Sequence, residues 1–437
     1  VSGTHAIHGA QEVIGRLASL PGGPELLAQA RGREDITLVG GAVRDLLLGH
    51  WPRELDVTVA GDSAGLARAL GASVSPSERP YGHAVEPILH ERFSTASVVW
   101  NYGRIDIAEL RTESYPAPGA LPDVRSGSVE EDLARRDFTV NAISLPLGGE
   151  RRGELIAVEG ALEDLQQGRL RVLHDRSFID DPTRLLRIAR YAARLGFEVE
   201  IRTAELARAA LAERALDTVS GARIGAELRL ALAEADSIGA LASLSELGVL
   251  HALHPRLRLD RPIVLGALAL LPEDGRRDLL LMAALALPLI LRADEDPSIE
   301  LSALLDRWEF AAGDRDRVLN AAKAVVHLLH DLCTAETPSQ LRAIVGQAPP
   351  EGVALAGAHG NADMARRWLE DVRHVRLEID GADLLAAGLP EGPEIGRRLE
   401  AVLELRLDGR LADGREAELQ AALDRPTPAE NGAGGPS

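Results

Sequence analysis

Three carboxylates in this sequence are spaced to hold a divalent cation. Glu54 and Asp56 stand two residues apart in Glu54-Leu-Asp-Val-Thr-Val59. Residues i and i+2 of a strand face the same side, so both side chains can reach one site. Asp106, in the later segment from Arg104 to Leu110, offers a third carboxylate from a neighbouring strand. Oxygen-only donors suit Mg²⁺, which binds through a few carboxylates plus substrate phosphates. Two carboxylates on one strand with a third beside them is a donor set for two-metal phosphoryl transfer. Alone, an acidic pair at a strand edge is usually just solvated. The surrounding residues decide between the two readings.

Those residues are rich in phosphate-binding chemistry. Val39-Gly-Gly-Ala-Val-Arg-Asp-Leu-Leu-Leu-Gly49 puts Gly40 and Gly41 between a strand and a helix start, where backbone N–H groups can approach a phosphate. Arg44 and Asp45 follow on the first turns of that helix. In Glu131-Asp-Leu-Ala-Arg-Arg-Asp-Phe-Thr-Val-Asn-Ala142, Arg135 and Arg136 supply guanidinium forks for phosphate oxygens. Asp137 and Asn141 of the same string can hydrogen-bond sugar hydroxyls, or Asp137 can merely cap a salt-bridged helix. Asp180-Asp-Pro-Thr-Arg-Leu-Leu-Arg-Ile-Ala-Arg190 reads as a helix with Pro182 in its first turn and Asp180 or Asp181 as cap. Asp181, Arg184, Arg187 and Arg190 then share much of one face. The plainer reading of that string is a capped helix with ordinary ion pairs.

The string Gly40 to Gly49 followed by Glu54-Leu-Asp56 resembles the signature of class II tRNA nucleotidyltransferases, the family of CCA-adding enzymes and bacterial poly(A) polymerases. The family usually has Asp-x-Asp where this chain has Glu54-Leu-Asp56. The ligand chemistry survives the extra methylene, with the metal displaced slightly. Arg135 to Ala142 resembles the family's Arg-Arg-Asp-Phe-Thr-x-Asn-Ala motif without departure, which in relatives meets ribose and triphosphate. Asp180-Asp-Pro-Thr-Arg184 is similar to the Glu-Asp-x-x-Arg motif, with Asp180 replacing glutamate. The role it implies is reading the Watson–Crick edge of the incoming base. Asp181 would accept from the exocyclic amino group of C or A, and Arg184 would donate to ring nitrogen and carbonyl. Uracil and guanine present the reverse pattern at the amino position and would be rejected. Val219 to Leu228 resembles the family's neck helix, and Ile379 to Gly396 its C-terminal element.

The resemblance implies template-independent addition of CMP, CMP and AMP to the 3′ end of tRNA from CTP and ATP, with Mg²⁺ as cofactor. Glu54 and Asp56 would be the metal ligands, joined by Asp106 as catalytic carboxylates. Gly40, Gly41, Arg44, Asp45, Arg135, Arg136, Asp137, Asn141, Asp180, Asp181, Arg184, Arg187 and Arg190 would bind the nucleotide. CC-adding, A-adding and poly(A) polymerase activities stay open. The stretches Asp56 to Leu70 and Asp180 to Arg184 resemble variants that also occur among split CC- and A-adding enzymes. A catalytically idle RNA-binding protein is the reading from another class, supported by Glu54 alone.

The elements that must position these groups read as follows. Ile36 to Val39 is a short strand, Gly40-Gly41 a tight turn, and Ala42 to Leu48 a helix stopped by Gly49. Leu55 to Val59 is a second strand by its β-branched alternation. Ser94 to Trp100 and Arg104 to Leu110 form a strand pair joined by Asn101-Tyr-Gly103. Thr112 to Val129, rich in Pro, Gly and Ser, reads as a structureless loop, a feature that is usually functional or disordered. Its glycines, Gly119 and Gly127, are compatible with a mobile element, and in the family the equivalent loop is associated with the switch to A addition. Beyond about Asp180 the chain turns helical as far as Leu423, with breaks near Pro255, Pro262, Pro288 and Pro349. The predicted fold class is α+β: an N-terminal nucleotidyltransferase α/β head domain (1–150) before an all-helical region. That region divides into a neck with the base-recognition motif (151–230), a body (231–335) and a tRNA-binding tail (336–425), followed by a disordered end (426–437).

Composition sets the outer bounds. Hydrophobic residues make up 46% and aromatics only 3%, so the cores rest on Leu, Ala, Val and Ile. The formal charge of −19 looks unfavourable for a nucleic-acid partner. The local balance matters more: between Gly168 and Arg229 stand 12 arginines against 9 acidic residues. Cys333 is the single cysteine, which excludes an intramolecular disulfide and a cysteine zinc cluster and reads as a helix core residue. No apolar run reaches membrane-spanning length and no signal peptide is visible, so a soluble cytoplasmic protein without membrane or obligate protein partners is expected. His330-Asp331 hints at an HD-type phosphohydrolase, but His251, His254 and His327 make no ordered ligand set with it, and His330 reads as an ordinary helix residue.

Overall fold

Short apolar strands around Ile36 and Leu55 cannot bury their faces alone, and in the computed structural model they pair into one sheet. The structure describes residues 4–75, 85–90, 94–291 and 297–424. The chain divides into two units, Val1–Pro255 and Arg256–Ser437.

The first unit opens with helices α1 (Ala10–Leu17) and α2 (Gly23–Gln29). Strand β1 (Ile36–Val39) leads into α3 (Gly41–Leu47), and β2 (Leu55–Val59) into α4 (Ser63–Ser73). Strands β3 (Ile88–His90), β4 (Thr95–Trp100) and β5 (Gly103–Glu109) follow. A separate hairpin of β6 (Arg111–Ser114) and β7 (Asp123–Ser126) precedes α5 (Val129–Ala134). A 3₁₀ turn at Thr139–Asn141 then leads to β8 (Ile143–Pro146) and β9 (Ile156–Ala157). The sheet order is β3-β4-β5-β2-β1-β8-β9. Among its pairings only β2 with β5 is parallel, and that register sets Asp56 opposite Asp106. All four residues of β1 are buried, as expected of a central strand covered on both faces.

Local signals fix the ends of these elements. Gly40 has a φ of +67°, and a Cβ there would lie 2.6 Å from Nη1 of Arg136, so the turn into α3 requires glycine. Asp62 caps α4 by accepting from the backbone of Gly65. Ser128 and Glu131 form a reciprocal capping box at α5.

Several sequence expectations need correction. The segment from Thr112 to Val129 is not structureless. Arg111 pairs with Ser126 and Ser114 with Asp123. These strands are polar on both faces, so the ladder left no hydrophobic alternation to read. The helix after Gly40 begins and ends one residue earlier than expected, and the pair β4–β5 turns through Asn101 and Tyr102 alone, with Trp100 opposite Gly103.

Beyond the sheet come α6 (Ala161–Gln166), α7 (Ser177–Asp180), α8 (Arg184–Leu195), α9 (Ile201–Ala212), α10 (Gly221–Leu232), α11 (Ser237–Glu246) and α12 (Val249–Leu253). Helix α8 buries Leu185, Leu186, Ile188 and Ala189, packs against α10 and α11, and ends at Gly196 in the left-handed conformation. Neither Asp180 nor Asp181 caps it. Asp180 belongs to α7, and Oδ1 of Asp181 accepts from the backbone N–H of Thr183 at 3.1 Å and its hydroxyl at 2.7 Å, folding the connection as an Asx turn.

The second unit is helical throughout its described residues. Its most apolar helix, Arg277–Ile290, packs against Ala312–Asp331 and Pro350–Ala356. Pro288 lies inside that helix rather than ending it, and removes the N–H that would have donated to the carbonyl of Ala284. Pro262 sits instead in the first turn of Arg261–Leu270. The buried Glu351 is satisfied by the backbone of Arg276 and by Arg317. A smaller core joins Ile379, Leu384, Val402 and Ala422. Cys333 is exposed, contrary to expectation: Leu332 takes the buried position, and the next residue of the 3₁₀ turn rotates outward. The expected disordered end, 426–437, lies outside the described residues. Among the described residues no helix is long and apolar enough to cross a membrane.

Candidate active site

A cleft of about 870 Å³ opens in the first unit, with Glu54, Asp56 and Asp106 among its lining. Ligand oxygens of these three lie within 4.8 Å of one another, and no other group of three or more potential metal ligands gathers among the described residues. The parallel register of β2 and β5 is the cause: it sets Asp56 and Asp106 side by side, and Glu54 enters just ahead of β2. Burial pushes the Asp56 carboxyl up to about 7, with the neighbouring charges of Glu54 and Asp106 adding to the rise against the opposing pull of Arg136 and Arg44. Three hard oxygen donors crowded this closely fit a divalent cation, whose charge would relieve the repulsion around Asp56. Gly41 brings the backbone to this cluster, since a Cβ there would stand 3.8 Å from Oδ2 of Asp56.

Arginines dominate the rest of the cleft. Ten line it against seven carboxylates, an excess that suits a polyanionic ligand. Most are held by carboxylates. Arg44 donates to Asp45 at 2.8 and 2.7 Å and to the Asn141 amide oxygen, and Arg194 reaches the other oxygen of Asp45 at 3.3 Å. Arg135 and Arg136 share the buried Asp132, at 2.6 and 2.9 Å, and Arg135 also bonds Glu113 at 2.8 Å. Arg187 and Arg190 both reach Glu227, and Arg190 also reaches Glu234. The ring of Tyr191 collects three guanidiniums, those of Arg190, Arg44 and Arg187, with centroid distances of 4.9, 5.4 and 5.8 Å.

Asp137 and Asn141 are buried, and their polar atoms turn toward protein. Oδ1 of Asp137 accepts from Asn141 and from the backbone of Phe138, while Oδ2 accepts twice from Arg187. Burial alone would raise this carboxyl. The charge of Arg187, the hydrogen bonds from Asn141 and Arg187, and the charge of Arg184 prevail and hold it well below the usual range. Asp181 and Arg184 both line the cleft; the backbone N–H of Arg184 donates to the Asp181 carbonyl at 3.1 Å, while their side chains take other partners. Arg184 donates to the hydroxyl of Ser177 and the carbonyl of Arg135, and Asp181 pairs with Arg223 at 2.7 Å. Arg223 also donates to the carbonyl of Gly119 at the tip of the β6–β7 hairpin, at 2.9 Å. Asp180 pairs with Arg176 at 3.0 Å and is not among the lining residues.

The sequence reading therefore missed Arg104, Glu113, Asp132, Tyr191, Arg223, Glu227 and Glu234. Asp132 was within reach, since it precedes Arg135 and Arg136 by three and four residues where α5 ends. Arg223 lies in the string that resembles the neck helix, but only the tertiary structure pairs it with Asp181.

The chain is similar in sequence and fold to known proteins. Residues 36–171 match the Poly A polymerase head domain. The chain is 32% identical over 412 residues to a CC-adding tRNA nucleotidyltransferase of Deinococcus radiodurans, covering 91% of this chain and 92% of that protein. It is 33% identical over 404 residues to an A-adding tRNA nucleotidyltransferase of Geobacter sulfurreducens, covering 88% of this chain. The chain spans about half the length of such A-adding relatives: 44% of the Geobacter protein and 51% of one from Halalkalibacterium halodurans. The Thermotoga maritima CCA-adding enzyme, solved in complex with tRNA-CCA, superposes with a TM-score of 0.74 at 25% identity, over 96% of this chain and 98% of that one.

Proposed function

Since this chain belongs to the tRNA nucleotidyltransferase family, built on the Poly A polymerase head domain, we propose that it adds CMP, CMP and AMP to the 3′ end of tRNA from CTP and ATP without a template. The observation that carries this reading is the carboxylate cluster Glu54, Asp56 and Asp106 lining an arginine-rich cleft. Mg²⁺ held by Glu54 and Asp56, with Asp106 beside them, would supply activation of the terminal hydroxyl and charge neutralisation on the departing pyrophosphate. The protein's own part is positioning. Arg44, Arg136 and Arg187 would meet the triphosphate, with Asn141, Asp132 and Asp137 holding their guanidiniums in place. The backbone at Gly40 and Gly41 would pass close beside the phosphates. Asp181, fixed by Arg223, and Arg184 would select a base with an exocyclic amino group. Arg190 would extend the cationic wall, and Arg135 would brace it through Asp132 and Glu113. Asp180 would act at most through the turn it shares with Asp181. We place the neck at 151–230, the body at 231–335 and the tRNA-binding tail at 336–425, in a cytoplasmic enzyme.

A CC-adding activity is the second reading, favoured by the relative that matches over 92% of its length and bears that name. The test is incubation with tRNA transcripts ending at the discriminator base, at C and at CC, each with one NTP at a time. Incorporation of C twice and then A supports the full reaction. Arrest at CC with no A added would establish the second reading, and no incorporation on any substrate would leave an RNA-binding protein.

A further inference from the structure

Building on that function, we infer that Arg104 is an internal competitor of the divalent cation and sets how tightly the carboxylate cluster holds it. Arg104 and Asp106 stand two residues apart on β5, which sends both side chains to one face. Nε of Arg104 donates to both oxygens of Asp106, at 3.0 and 2.8 Å, and lies 3.9 Å from Oε2 of Glu54. Ser97, the register partner of Asp106 on β4, donates its hydroxyl to Oδ1 of the same carboxylate.

A cation that takes an oxygen of Asp106 therefore takes it from bonds already made. Its binding is weakened by whatever releasing Arg104 costs. The other cations near Asp56 are not displaceable in this way: Arg44 is buried against Asp45, and Arg136 is tied to Asp132. Arg104 is the mobile partner, since half of its side-chain surface faces solvent and it can swing into water without disturbing the core. The same exposure keeps the cost modest, in the range of an exposed ion pair, so the effect is a fold-change and not a switch.

The experiment titrates Mn²⁺ into the full chain without nucleotide and reads free Mn²⁺ by electron paramagnetic resonance. Wild type, Arg104→Gln, Arg104→Lys and Asp56→Asn are compared, with melting curves to establish that each is folded. Arg104→Gln should tighten the Asp56-dependent binding by about two- to fivefold. Arg104→Lys, which keeps the charge but loses the planar fork, should fall between wild type and Arg104→Gln. Equal or weaker binding by Arg104→Gln overturns the competition while leaving the proposed function standing. If wild type binds Mn²⁺ no better than Asp56→Asn, the metal role of the cluster fails, and this inference falls with it.

Discussion

Arg187 grips a single oxygen of Asp137 with two of its nitrogens, at 2.9 and 2.6 Å, joining strings fifty residues apart in sequence. The bond ties the Arg-Arg-Asp string to helix α8, and with it the parts of the cleft expected to meet phosphate and base.

Breaking that pair should be costly. Asp137→Ala leaves Arg187 beside Glu227 alone and should lower stability by about 3 kcal/mol, the range found when one partner of a buried pair is removed. The double variant with Arg187→Leu should recover part of the loss. The folded-state pKa of Asp137 lies below its unfolded value, so its stabilisation is full above about pH 4 and fades as pH falls. Urea denaturation at stepped pH should accordingly show the gap between wild type and Asp137→Asn shrinking in acid. A gap independent of pH would contradict the assignment.

Asp56 has the opposite sign. Its folded-state pKa of about 7 lies above the ordinary carboxylate value, so the favourable contribution is full below about pH 4 and is lost as pH rises through 7. In chelator at pH 8, Asp56→Asn should therefore melt roughly 2–4 °C higher than wild type. Adding Mg²⁺ should reverse the order, because only wild type gains from the ion. Nucleotide incorporation should be abolished in Asp56→Ala and retained in Glu54→Asp. Turnover by Asp56→Ala would rule out the carboxylate assignment.

Arg223 holds Asp181 at 2.7 Å, and Arg184 reaches Ser177 and Arg135. Arg223→Ala should leave Asp181 held by Thr183 alone and lower discrimination of CTP and ATP over UTP by about tenfold, with total incorporation less affected. Arg184→Ala should relax selection in the same direction. Competition assays with mixed nucleotides would read this directly. An equal loss of rate for every nucleotide would exclude a selective role.

The hairpin tip offers a mild perturbation. Gly119 has a φ of +69°, and a Cβ there would stand 2.1 Å from Oγ1 of Thr218. Gly119→Ala should therefore push the tip away from Arg223 and from the carbonyls of Ile179 and Asp180, to which its N–H donates. If the hairpin links pocket shape to the base being added, A addition to CC-ending tRNA should fall several-fold more than C addition to the shorter substrates. Equal losses would make the hairpin a brace and nothing more.

Much of the site was legible because it depends on short-range geometry. Glu54, just ahead of β2, and Asp56 within it are neighbours in sequence, and the Gly-Gly turn at the end of the adjacent strand β1 delivers backbone beside Asp56. The sheet strands from Ile36 and Leu55 read correctly to the residue because β-branched apolar runs admitted few alternatives. The hairpin did not, since its pairing is carried by backbone groups and polar side chains without hydrophobic periodicity. Asp137 and Asn141 were read as sugar ligands from their polarity, yet their burial among Arg44, Arg187 and Phe138 is a tertiary property. Arg104 escaped attention although it shares a strand face with Asp106, because an i, i+2 ion pair on an exposed strand usually carries no chemistry.

The parallel pairing of β2 with β5 has a consequence for which insertions the gene tolerates. Asp56 and Asp106 meet only because Leu55 stands opposite Ile105 and Val57 opposite Ile107. Side chains alternate along a strand, so one extra residue between Gly103 and Asp106 would turn that carboxylate to the opposite face while the apolar residues exchanged places with it. Added length in the turn at Asn101 and Tyr102 costs little by comparison, because loop closure grows slowly with length and the β2–β5 register is unaffected. Across variants of this chain, length changes should therefore collect at that turn and be absent from the three residues before Asp106.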